Sequence, residues 1–234
     1  MTSFIVSFWA NIFSFLAKIS VFSLVRRIFP SAVTVRFVDY WVLGHLTIAI
    51  AAVIISACSP YPIFGYLFMW YGFLRTFEIV IYQANVLLFD EYRVVKSGGN
   101  YYLEGYRRIV LLLVHNYFEI IFWLACTYTV MAGHFDHKWQ QGAGTVFGGI
   151  YSSFITMTTF GDFDLAPKTT LGAFVLLFHA TVGLFMTLLS LARFISLIPA
   201  PKTRDSIERK QIKDLASYTT NTTEPLGSLG SDSN

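Results

Sequence analysis

Four stretches of this chain are apolar for longer than a bilayer is thick. Phe37 to Ser59, Ile63 to Phe89, Ile109 to Ala132 and Thr169 to Ile198 each run for more than twenty residues. At 1.5 Å per residue, a helix of ~20 residues covers the ~30 Å hydrocarbon core. Composition points the same way: 55% of the 234 residues are hydrophobic and 13% charged, against roughly 25% charged in a soluble domain. The fold expected is an all-α membrane protein with four transmembrane helices. Cys58 and Cys126 lie inside apolar runs and read as small buried hydrophobes rather than a disulfide framework.

The first segment, Thr2 to Phe29, is apolar with a polar stripe. Ser3, Ser7, Asn11, Ser14 and Lys18 recur every three to four residues, which predicts an amphipathic helix lying in the membrane interface. Arg26, Arg27 and Pro30 end it. No positive region precedes the apolar part, so a cleaved signal peptide is not expected. Pro60 and Pro62 mark a tight turn between the first two spans. A polar loop with a Gly98–Gly99 break separates the second from the third. Beyond Pro199 the chain turns polar, with a short helix expected over Ser206 to Ala216 and disorder after it.

Lysines and arginines orient the spans. With the N-terminus inside, the inner segments hold Lys18, Arg26, Arg27, Arg36, Arg93, Lys96, Arg107, Arg108 and the five basic residues of 202–213. The outer loops hold only Lys138 and Lys168. That asymmetry places both termini in the cytoplasm of a multi-pass plasma (cell inner) membrane protein.

Between the third and fourth spans lies "TVFGGIYSSFITMTT", apolar but too short to cross, so it reads as a re-entrant helix. "TMTTFGDFDLAP" follows, with its threonines, glycine and aspartates held between hydrophobic helices. Non-helical backbone at that depth survives only when buried in protein or lining a water-filled cavity. The run "SSFITMTTFGDFDLAP", followed by "KTTLGAFVLLFHATVGLFMTLL", resembles the pore region of the tetrameric potassium-channel superfamily. There a threonine pair precedes V-G-Y-G-D, a short gap and a proline. Thr158, Thr159, Phe160, Gly161, Asp162, Phe163, Asp164 and Pro167 align to that pattern without a gap, and the resemblance covers roughly Ile109 to Ile198.

The resemblance implies a homotetramer around a central pore. The chain then divides into an interfacial helix (1–30), an accessory hairpin with a cytoplasmic loop (31–108), a pore module (109–199) and a cytoplasmic tail (200–234). It implies that the Thr159 hydroxyl and the carbonyls of Thr159, Phe160 and Gly161 replace the water shell of a cation. It puts Gly183 where the family often has an inner-helix hinge glycine; close helix packing through a small residue is the competing role. The departures bear on selectivity. Asp162 stands for the pattern's tyrosine and Phe163 for its second glycine. A side chain there is costly in the backbone angles that form the outermost carbonyl ring. An aspartate after the first glycine also occurs in a bacterial relative that conducts both sodium and potassium. The expected function is passive conduction of K⁺ and Na⁺ with weak discrimination, and Ca²⁺ entering or blocking at Asp162 or Asp164. The alternatives are a potassium-selective channel with an unusual filter, and a non-conducting or transporter-like protein of the same fold.

Arg75, Glu78, Glu119, His45, His115 and His179 lie within the spans. Such residues should pair inside the bundle, Arg75 with Glu119 or with Glu78, its neighbour three residues on. His134, Asp136 and His137 form a weak candidate zinc site in an outer loop. Basic residues around Arg26–Arg27 and after Pro199 suit the anionic lipids of the inner leaflet. No serine–histidine–acid or HExxH pattern is present. An enzyme, a resident cofactor and a nucleic-acid partner are therefore not expected.

Overall fold

In hydrocarbon a chain must satisfy its backbone polar groups within each segment, and the four long apolar runs are accordingly helices. The computed structural model describes residues 4–18, 20–29, 34–89, 106–137, 142, 144–158 and 165–197. In chain order the elements are α1 (Phe4–Lys18), α2 (Val21–Ile28), α3 (Val35–Cys58) and α4 (Pro62–Ala84), which continues as a π-helical turn (Asn85–Phe89). Then come α5 (Tyr106–Val130), a 3-10 turn (Ala132–His134), β1 (Phe135–His137), α6 (Val146–Met157), β2 (Leu165–Pro167) and α7 (Thr170–Leu197). Among them α3, α4 with its π turn, α5 and α7 are long and apolar enough to cross a membrane. This is the helix content of a membrane protein. The chain forms two compact units, Met1–Ser196 and Leu197–Asn234. Apart from Leu197, the residues described belong to the first. The loop 90–105 and the tail expected to be helical and disordered lie outside the described residues.

Three expectations need correction. The N-terminal segment is two helices rather than one, and the chain turns by 67° between them. Ser20 interrupts it by acting as the N-cap of α2, its hydroxyl accepting from the Ser23 N–H. The fold is also not purely helical. β1 and β2 pair antiparallel with Phe135 opposite Pro167 and His137 opposite Leu165. The stretch between them thus leaves and returns at one place. Finally, Cys126 is buried but Cys58 is exposed at the end of α3.

α5 is the central helix. Its residues enter all three apolar clusters: Tyr128 with Met69, Leu165 and Val175; Ile120, Ile121 and Leu124 with Ile79, Met157 and Met186; Trp123, Ala125 and Cys126 with Ala49, Ala52 and Val53. In lipid, helices associate through close packing and polar contacts more than through apolar burial. Both occur here. Ala49, Ala52 and Val53 give α3 a flat face toward α5, and the Ser56 hydroxyl meets the Cys126 thiol at 3.1 Å. On α4, a Cβ at Gly72 would stand 3.0 Å from the Trp123 ring. The small residue there lets the two helices approach.

Candidate functional site

α6 owes its position to size segregation along twelve residues. Gly148, Gly149, Ser152, Ser153 and Thr156 are buried, while Phe147, Tyr151 and Phe154 are exposed. The small face lets α6 lie close against α5, where the Ser153 hydroxyl donates to the Ile121 carbonyl at 2.6 Å. Thr145 caps its start, accepting from the Gly148 N–H at 3.0 Å. The far end carries the partial negative charge of a helix C-terminus. Thr158 is the C-cap, and its hydroxyl turns back to the carbonyls of Phe154 (3.0 Å) and Ile155 (3.1 Å). The Thr158 proton is thus committed to the helix. Thr159, Phe160, Gly161, Asp162, Phe163 and Asp164 lie outside the described residues. The chain resumes at β2, with Leu165 buried.

Gly183 of α7 lies against the end of α6. A Cβ there would be 2.7 Å from the Met157 carbonyl oxygen and 3.2 Å from its Cα. Gly183 therefore has a contact to make, whatever else it does. Nearby, His179 is fully buried and its Nδ1 is 3.1 Å from the Tyr128 hydroxyl. Its Nε2 has no partner among the described residues.

The charged residues of the spans form a connected cluster. Arg75 donates through Nε to Glu119 Oε1 (2.7 Å) and through its terminal nitrogens to Glu119 Oε2 (3.3 Å) and Glu78 Oε2 (2.8 Å). The two pairings offered as alternatives by the sequence thus form together. A planar guanidinium can do this because its donors are splayed in a fixed fork. Glu119 also accepts from the Trp123 indole at 3.2 Å. All three charged side chains are at most 5% exposed. One cation faces two carboxylates, so the trio is formally −1. The second carboxylate finds its compensation at the start of α2: Glu78 Oε1 accepts from the Ser20 hydroxyl and from the Phe22 N–H (2.7 Å). The positive end of a helix dipole thereby faces it. Asn85 adds a second tie, its side-chain amide donating to the Phe13 carbonyl of α1 at 2.9 Å. The N-terminal helices are fastened to α4 by polar groups. A cavity of about 50 Å³ beside the trio is lined by Trp41, Arg75, Glu78 and Asn116, among others.

The histidines divide. His45 hydrogen-bonds the Tyr71 hydroxyl at 2.8 Å and the Trp41 carbonyl at 2.8 Å. The Arg75 guanidinium lies 6.0 Å from the Trp41 ring centroid. His45 therefore flanks the cluster. His115, expected in the same network, is not part of it. Its Nδ1 meets the Leu111 carbonyl at 2.7 Å, and it shares a groove with the Asp39–Arg108 ion pair. Four residues apart, His115 and Glu119 share a face of α5 but stand one turn apart along it, and the His115 ring turns toward Leu111 and the groove beside Asp39 and Leu43. In the candidate zinc loop, His134 Nδ1 meets the Thr169 hydroxyl at 2.8 Å and Asp136 pairs with Lys168 at 2.7 Å. The His137 side chain lies outside the described ones. No group of three metal-binding side chains occurs among the described residues.

Sequence reasoning missed Ser20, Tyr117 and Trp123. Trp123 had a signal, its spacing of four from Glu119. Ser20 had only a local one, a serine three residues before Ser23, and its contact with Glu78 had none; Tyr117 had none, because its partner is distant in the chain.

Ser20→Ala removes both the α2 cap and one donor to Glu78. The expected result is a loss of about 1–2 kcal/mol confined to the N-terminal segment. Hydrogen exchange should rise in 20–28 and stay unchanged in α4 and α5.

No known protein family, no curated protein and no solved structure matches this chain.

Proposed function

We propose that four copies of this chain surround a path for monovalent cations, which cross passively with weak discrimination between K⁺ and Na⁺. The observation that carries this reading is the end of α6. A helix too short to cross a membrane lies between two that can, and it points its C-terminus at the threonine–glycine stretch. β1 and β2 support the reading, because their pairing brings the chain after that stretch back to the level it held before α6. A helix C-terminus at a cavity favours a cation there, and threonine and carbonyl oxygens are the ligands that replace its hydration shell. In this reading Thr159, Phe160 and Gly161 line the path. Asp162 and Phe163 stand where the third ring would be, and Ca²⁺ enters or blocks at the carboxylates. Both termini face the cytoplasm, where Lys18, Arg26 and Arg27 meet anionic lipids of the inner leaflet.

The test is flux through purified protein in liposomes under bi-ionic gradients. The expected permeability ratio of K⁺ to Na⁺ is within about tenfold. A ratio above roughly a hundredfold would make the protein a potassium-selective channel with an unusual filter. Transport obligatorily coupled to a proton gradient, or no flux at all, would refute conduction. A monomer or dimer in the membrane would refute the central pore.

A further inference from the structure

The last carbonyl of α6 belongs to Met157, and a helix end leaves such a group without an N–H of its own. Tyr117, on α5 and forty residues earlier in the chain, donates its hydroxyl to that oxygen at 3.0 Å. The N–H on the other side of the same peptide, that of Thr158, donates to the Phe154 carbonyl at 3.0 Å. A peptide group is planar and its torsion barrier is high. Held at its C=O by Tyr117 and at its N–H by α6, the Met157–Thr158 peptide has one orientation. That orientation sets the direction in which the chain leaves the helix toward Thr159.

The same oxygen is also the contact point of α7. The Gly183 backbone lies against the Met157 carbonyl, and the Thr187 hydroxyl stands 3.4 Å from the Tyr117 oxygen. With the Tyr117 proton on Met157, the Thr187 hydroxyl is the donor in that longer contact. α5, α6 and α7 thus meet at one peptide.

We propose that Tyr117 is a positioning residue for the ion path: by holding the Met157–Thr158 peptide it sets the geometry at the start of the filter stretch, and through Thr187 and Gly183 it ties that geometry to α7. This rests on the conduction reading and adds to it a residue outside the threonine–glycine stretch on which selectivity depends. Phenylalanine at 117 keeps the ring against the apolar cluster that holds Ile120, Met157 and Met186 and removes only the hydroxyl. The peptide then keeps its N–H bond to Phe154 but loses the anchor on its carbonyl, and its tilt is less tightly fixed.

The experiment compares full-length wild type with Tyr117→Phe, Thr187→Val and, as control, Tyr66→Phe, whose side chain is exposed on α4. The readout is the K⁺ to Na⁺ permeability ratio from bi-ionic reversal potentials. It does not depend on how many molecules are folded, so a merely structural role would not move it. Loss of one hydrogen bond is expected to change the ratio of Tyr117→Phe by about threefold to tenfold. Thr187→Val should move it less, in the same direction, and the control not at all. Wild-type flux with both variants unchanged overturns the proposal and leaves conduction standing. If Tyr117→Phe fails to assemble, an unchanged ratio in Thr187→Val overturns it by itself. Absence of wild-type flux overturns conduction and this inference together.

Discussion

Arg75→Met is expected to destabilise the helix bundle by about 3–5 kcal/mol, the cost of removing one partner from a buried ion cluster. Methionine keeps most of the volume, so the loss is electrostatic. Glu78 and Glu119, at 5% and 0% exposure, would face each other across an apolar gap with no cation between them. Arg75→Lys keeps the charge and should recover only part of the loss. A lysine head is a compact point charge, and it cannot reproduce the three donations that span Glu119 and Glu78. The sharper comparison is Arg75→Met combined with Glu78→Gln and Glu119→Gln. With no charge left, this triple variant should be closer to wild type than Arg75→Met alone, because a fully neutral site avoids uncompensated ions. Thermal unfolding of the protein in one detergent ranks the four chains. If Arg75→Met melts with the wild type, the cluster contributes nothing to stability.

Gly183→Ala separates two roles by sign. A hinge glycine with free space around it gains up to about 1 kcal/mol of helix stability on replacement by alanine. The contact predicts the opposite. The new methyl would stand 2.7 Å from the Met157 oxygen and 3.3 Å from its carbonyl carbon. These are backbone atoms, which cannot swing aside as a side-chain tip does. Forcing an extra group into packed helices costs about 1–3 kcal/mol. The expected result is therefore a lower melting temperature, and flux reduced with it if conduction holds. A raised melting temperature would show that α7 parts from α6 at this point at no cost.

The spans were legible because hydrophobic length has no other use in a chain of this kind. Each of the four runs forms a helix close to its expected limits, and Val146–Met157 is helical, close to the limits expected for the short apolar run. The N-terminal break was not legible. A serine can cap a helix at many places in such a segment; Ser20 caps α2 through the nearby Ser23 N–H, and its hydroxyl also meets the carboxylate of Glu78, 58 residues away. The small sheet was missed for a similar reason. Three-residue strands carry no periodicity, and only the meeting of their partners creates them.

The site divides along the same line. That charges inside apolar spans must pair follows from residue chemistry alone, and so does the list Arg75, Glu78 and Glu119. Which pairs form, and that His115 stands outside them, depends on the level at which α5 meets α4 and α3. The threonine–glycine stretch is a property of the sequence, since residue order alone carries the resemblance. The support beneath it is a property of the tertiary structure. Tyr117 meets Met157 only because α6 folds back onto α5, and Gly183 meets it only because α7 crosses there. Local pattern reports what a segment is made of. Contacts between distant segments depend on how helices pack, and that is decided by the whole set of side chains at once.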